Sequence, residues 1–178
     1  GYLRDAQVAA LTPSQLQALE TQDLQAMTTG AIVAIAPQSL ASLTTVQVSA
    51  LRTDQLNALT SSQFVKITAA QIGALTSTQL SGFGIVQLNL LDGRQVSGLQ
   101  SMQLSGLTIE QLEGFSYKVS DSFTSTQQAN LSDAQKQALK RIGYEEIRAA
   151  TSSDIAALRA DQVASLTTDA ISKLNTSQ

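Results

Sequence analysis

The sequence predicts an all-α solenoid, a superhelix of very short helices with one helix per eight residues. Three observations predict it: an eight-residue repeat that keeps register over most of the chain, a helix-start signal at the same place in each repeat, and a spacing of apolar residues that no continuous element accepts. The stretch LTSSQFVKITAAQIGALTSTQL, residues 59–80, shows the unit three times. Thr60, Thr68 and Thr76 open the units, Gln63, Gln71 and Gln79 follow three residues later, and Phe64/Ile67, Ile72/Leu75 and Leu80/Phe83 are the apolar pairs.

With Thr60 as position 1, units begin at Arg4, Thr12, Glu20, Thr28, Ala36, Thr44, Arg52, Thr60, Thr68, Thr76, Gly84, Asp92, Gln100 and Thr108, fourteen octads without an insertion. Positions 5 and 8 are apolar in every one, and position 4 is Gln in eleven, the exceptions being Asp23, Ala31 and Ser39. In an unbroken α-helix eight residues turn by about 800°, so the apolar stripe would drift by roughly 80° per unit and circle the helix. That excludes a coiled coil. A strand is excluded too, because spacings of three and five put successive apolar residues on opposite faces. The chain therefore breaks once per octad.

The break has its own chemistry. Thr at position 1 with Gln at position 4 is a capping box, and the Leu before the Thr can pack on the apolar residue at N4 as a hydrophobic staple. Leu11, Thr12, Gln15 and Leu16 show all four parts; Thr12/Gln15, Thr60/Gln63, Thr68/Gln71 and Thr76/Gln79 are the clearest capping pairs. The two prolines, Pro13 and Pro37, both fall at position 2, which is N1, where a missing N–H costs nothing. Gly82, Gly98, Gly106 and Gly114 fall at position 7, where a small residue allows a turn or a close approach of neighbouring backbones. The expected core is the set of apolar pairs, among them Leu16, Leu19, Leu56, Leu59, Phe64, Ile67, Ile72, Leu75, Leu80, Phe83, Leu104 and Leu107. One octad buries too little to offset the entropy of ordering it, so stacking on neighbours supplies the rest.

The expected organisation is one elongated solenoid over residues 1–178. Residues 4–115 are regular octads. Residues 116–150 are an irregular segment, where position 5 becomes Ser120, Gln128 and Lys136, with a longer helix near 133–142 ended by Gly143. Residues 151–178 return to octads through Asp154/Ile155/Leu158, Gln162/Val163/Leu166 and Ile171/Leu174, and the array is expected to continue beyond them.

Composition removes several functions. Charged residues are 14% of the chain and the net charge is −3, so no basic footprint for nucleic acid exists. There is no His and no Cys, which removes thiolate nucleophiles, imidazole bases and the usual zinc ligands. No apolar run has the length of a membrane span. Cofactors, metals and catalytic residues are expected to be absent, and the chain is not expected to be an enzyme.

The units LTSSQFVKI, LTTVQVSAL, LTSTQLSGF and LTTDAISKL resemble the tandem octapeptide L-T-x-x-Q-[hydrophobic]-x-[small]-L of very large secreted or surface proteins of proteobacteria, which are adhesin-like and associated with type I secretion. The resemblance implies a surface-displayed structural or adhesive role in a bacterium and carries over no catalytic residue. The glycine- and aspartate-rich calcium nonapeptide of such proteins is missing, so calcium is not implied.

Other features read as structure. The Gln ladder is explained by capping without a ligand. The Thr row, broken by Arg4, Glu20, Ala36, Arg52, Gly84, Asp92 and Gln100, does not make a flat ice-ordering face. Phe64, Phe83, Phe115 and Phe123 occupy core slots. Glu145 and Glu146, beside Tyr144, Lys140 and Arg141, read as a solvated face, and Asp92, Gly93 and Arg94 as an exposed turn. Two roles remain: a spacer or display rod whose partners are neighbouring repeats or domains of the same chain, with a surface protein or glycan as further partner, and a scaffold that binds a peptide or protein in a groove. Small polar residues at positions 2, 3 and 6, such as Ser61/Ser62 and Ser77/Thr78, favour the first.

Overall fold

A computed structural model describes residues 4–140. Seventeen helices are present among them, and their first residues fall every eight positions from Asp5 to Asp133, all at position 2 of an octad. The first sixteen have four to six residues, and the last, Asp133–Lys140, has eight. No strand occurs among the described residues. The all-α solenoid is thus the observed fold.

One unit shows how eight residues close a turn. Thr60 is extended (φ −66°, ψ 159°), and its carbonyl accepts the Phe64 N–H at 2.8 Å. The Val65 N–H donates to Ser61, Lys66 to Gln63 and Ile67 to Phe64, so the helix tightens to i→i+3 bonds at its C-terminal end. Thr68 is extended again (φ −76°, ψ 159°) and starts the next helix. Among the described residues none has positive φ, glycine included. Of the two roles open to the position-7 glycines, turning the chain is therefore overturned: extended residues such as Leu75 and Thr76 make the corner.

The superhelical repeat follows from the contacts that span it. Helix Asp5–Ala9 packs against Thr29–Ala34, and Thr45–Ala50 against Ala69–Ala74, three units along. Side-chain amides instead reach the fourth unit back, as Gln63 does to Ile32 and Ile35. Bonds between turns join residues 25 to 31 apart, centred on 28, which is three and a half octads of eight. Each helix therefore packs on the helix three units back and sends its position-4 amide to the unit before that one. Seven core side chains, two from each octad, fill the axis of every turn.

That core is continuous from Val8 to Leu139. Leu16, Leu56, Phe64, Ile72, Leu80 and Leu104 at position 5 are fully buried, and Leu59, Ile67, Leu75, Phe83 and Leu107 at position 8 nearly so; Leu11 and Leu19, in the first described turn, are half-buried. Phe64 meets Phe83 edge-on at 5.1 Å, and Phe115 meets Phe123 at 5.8 Å, geometries that suit the ring quadrupoles. In the octad that begins at Ser116, Val119 at position 4 is buried in the core. The apolar slot that Ser120 leaves at position 5 is filled from the neighbouring position.

Close approach explains the position-7 glycines and Gly73. A Cβ on Gly98 would lie 2.6 Å from the Ala69 carbonyl oxygen, and one on Gly73 would lie 2.6 Å from that of Gly98. Position 7 faces position 2 of the preceding turn, 29 residues earlier, and their sizes complement one another. Gly114 lies against Ile85, Gly106 against Ser77, and Ser122 against Gly93. The expected octads at residues 143–178, the C-terminal end of the 133–142 helix and the cluster Arg141, Tyr144, Glu145 and Glu146 lie outside the described residues.

Candidate functional site

The densest polar arrangement in the described chain is the column of position-4 glutamines. Each is placed by its own cap. Thr60 Oγ1 accepts the Gln63 N–H at 3.3 Å, and Gln63 Oε1 accepts the Thr60 N–H at 3.0 Å. The same reciprocal pair forms at Thr12/Gln15, Thr44/Gln47, Thr68/Gln71, Thr76/Gln79, Thr108/Gln111 and Thr124/Gln127, and with a carboxylate at Asp92/Gln95. At Arg4, Arg52 and Gln100 only the glutamine half forms, with Oε1 on the cap N–H.

The other end of the amide does what the capping argument leaves out. Gln63 Nε2 donates to the carbonyls of Ile32 (3.0 Å), Val33 (3.1 Å) and Ile35 (2.8 Å) in the turn below. Gln55 reaches Leu24 and Met27, both at 2.8 Å; Gln103 reaches Ile72 and Leu75, both at 2.7 Å; Gln127 reaches Val96 (2.7 Å) and Leu99 (3.0 Å). Apart from Val33 at position 6, these carbonyls belong to positions 5 and 8. A position-8 carbonyl lies past the last turn of its helix and has no intrahelical donor. One buried amide thus satisfies the first N–H of its own helix and the last carbonyls of another, and no buried side-chain nitrogen or oxygen among the described residues lacks a partner.

Burial follows from this double role. Gln47, Gln55, Gln63, Gln71, Gln79, Gln95, Gln103, Gln127 and Gln135 are buried, whereas Gln7 and Gln15, in the first described turn, are exposed. A buried amide is tolerable only when fully bonded. A signal for the second role stands in the sequence: a capping box accepts Glu as well as Gln, yet position 4 never holds Glu in the fourteen octads. Only the amide supplies a donor for the carbonyls below.

At Arg52 position 1 departs from Thr with local compensation. The Arg52 guanidinium donates to the carbonyls of Gln25 and Met27 and pairs with Asp54 at 3.0 Å. That hydrogen bond holds the Asp54 carboxyl below its ordinary pKa and raises that of Arg52. Exposed position-6 amides add a rim of inter-turn bonds, from Gln17 to the Ser42 carbonyl (2.7 Å) and from Gln25 to that of Ala50 (2.9 Å).

Outside the ladder the surface is sparse. Among the described residues no three His, Cys, Asp or Glu side chains are grouped to hold a metal ion, and no helix is long and apolar enough to cross a membrane. Asp92 is a helix cap, and Gly93 and Arg94 belong to the helix Gly93–Ser97, so that trio starts a helix where an exposed turn was expected. Phe64, Phe83, Phe115 and Phe123 are all buried.

Comparison with known proteins bears on the repeat alone. The family described as the ALTTAQ repeat matches residues 16–53 and, overlapping them, residues 32–69. The two matches are offset by two octads, as expected of a tandem array. No curated protein and no solved structure gave a match.

Proposed function

We propose that this chain is a structural or adhesive repeat segment of a bacterial secreted or cell-surface protein, a rod that spaces or displays neighbouring domains, and that it is not an enzyme. One observation carries the reading: the chain's recurrent side-chain chemistry is consumed by its own stack. Position-4 amides clamp the turns, position-1 hydroxyls cap the helices and positions 5 and 8 fill the axis. Positions 2, 3 and 6 remain for the outside, and Ser61, Ser62, Ser97 and Ser105 are exposed there. Such a surface suits a part whose role is its extent. The adhesin-like context and the compartment rest on the octapeptide resemblance.

The test is a surface swap. Exposed residues at positions 3 and 6 over two turns are changed to Lys and Glu, and the array is displayed on bacterial cells with an epitope at its end. Unchanged antibody labelling of the epitope is expected, together with no peptide selected from a random library by the unaltered array. A selected peptide whose binding the swap abolishes would replace the rod by a peptide-binding groove.

A further inference from the structure

The octad at Ala36, near the first described turn, has neither a cap side chain nor a position-4 amide; from residue 44 to 140 the inter-turn clamp is interrupted only at two octads, and these fall on top of one another. In the octad Gly84–Leu91 the cap has no side chain, no capping box forms, and the position of a Cβ on Gly84 is open for 4 Å around. Gln87 keeps a single inter-turn bond, a 3.2 Å contact to the Asn57 carbonyl, and is half-buried where Gln79, Gln95 and Gln103 are buried; Gln111, half-buried as well, keeps two such bonds. Four octads on, the unit that rests on this one begins at Ser116, and its position 4 is Val119, which has no amide to send down to Leu88 and Leu91. Asn89 supplies a substitute from the preceding turn: its Oδ1 accepts the Ser116 cap N–H at 2.7 Å, and its Nδ2 donates to the Gly114 carbonyl at 3.0 Å. That bond is made at the half-exposed rim instead of within the buried ladder. Val86, 74% exposed, lies in the same octad.

We infer that the octad Gly84–Leu91, together with the unit at Ser116–Phe123 above it, is the joint at which the stack opens first within residues 44–140. The inference does not depend on what the rod displays. Local opening is governed by the bonds and burial lost in the opened unit. This unit lacks a cap side chain, keeps only the single 3.2 Å amide bond of Gln87 to the turn below and receives no position-4 amide from the turn above, whereas the octads at Thr68 and Thr76 on one side and at Asp92 on the other have capped helices and buried position-4 amides. A rod with one such joint bends or yields at a defined height, about three turns above Arg4.

Native-state hydrogen exchange on the whole chain tests this. The protection factors of the Leu88 and Leu91 N–H groups are expected to be about tenfold lower than those of Leu80, Phe83, Val96 and Leu99, their equivalents in flanking octads. Uniform protection across these octads, or a minimum elsewhere in residues 44–112, overturns the inference. Gly84→Thr, which enters open space at a φ that any residue adopts, is expected to raise Leu88 protection to the level of its neighbours. The double change Val119→Gln with Ser120→Val restores the repeat above and is expected to raise Leu91 protection. If Gly84→Thr folds and leaves the minimum unchanged, the joint is not set by the missing cap and clamps, and the inference fails.

Discussion

Gln63 and Ile35, 28 residues apart, are joined by a 2.8 Å hydrogen bond from the side-chain amide to the main-chain carbonyl, and the same amide caps its own helix at Thr60. Capping and clamping can be separated by one atom. Gln63→Glu keeps the acceptor for the Thr60 N–H and removes the donor to Ile32, Val33 and Ile35, leaving a carboxylate facing carbonyl oxygens. The expected loss is about 3 kcal/mol. Gln15→Glu makes the same change where the amide is exposed and no inter-turn bond exists, and should fall within about 0.5 kcal/mol of neutral. Urea unfolding of the two variants checks the pair, and equal effects would mean that the ladder only caps.

Gly98→Ala sets a Cβ 2.6 Å from the Ala69 carbonyl oxygen, a main-chain atom held by its own helix. Forcing two turns apart there should cost about 1–3 kcal/mol. At Gly30 the nearest atom to an added Cβ is the end of the Asp5 side chain, at 3.0 Å, which can swing away. Gly30→Ala should stabilise by about 0.5–1 kcal/mol, since the helix then holds a residue with less freedom in the unfolded chain. Thermal melts of both variants should move in opposite directions.

Phe64→Ala empties a site where the ring is fully buried and packs edge-on against Phe83. A loss of about 3–5 kcal/mol is expected. Val65→Ala, one residue on and 45% exposed, should change stability by less than about 0.5 kcal/mol. Circular dichroism at increasing urea distinguishes them.

Stability should be flat across neutral pH. The chain has no His, the side chain whose ordinary pKa lies there. Asp54, lowered by its bond to Arg52, contributes stability that is present above its unfolded pKa of 3.8 and is lost only as pH falls through a folded value lower still. That window lies in acid. Between pH 5 and 7 the melting temperature should stay within about 2 °C, and a midpoint shift of many degrees there would show that a group with a strongly displaced pKa contributes to stability.

Much of this fold was legible because the repeat writes its local chemistry at fixed positions. Pro13 and Pro37 marked N1, Thr60 and Gln63 marked a cap, and the drift of the Phe64/Ile67 type of pair excluded a long helix. What was not legible was the relation between turns. The value of 28 residues per turn depends on how a corner such as Leu75–Thr76 sets the angle between helices, and capping rules carry no such angle. The joint at Gly84 was hidden for the same reason: Gly84, Asn89 and Val119 are unremarkable deviations until the turn length places Val119 over Leu88 and Asn89 beside Ser116. The preference for Gln over Glu was the one local mark of the inter-turn clamp.

A turn of 28 residues makes this chain a slow way to gain distance. With helices stacked about 9 Å apart, each residue advances the rod by about 0.3 Å, against 1.5 Å in a single α-helix. Each added octad therefore lengthens the structure by less than 3 Å while widening nothing. Material is spent on girth and cross-ties, so a long array of such octads behaves as a thick post of high bending stiffness, and reach demands very many repeats.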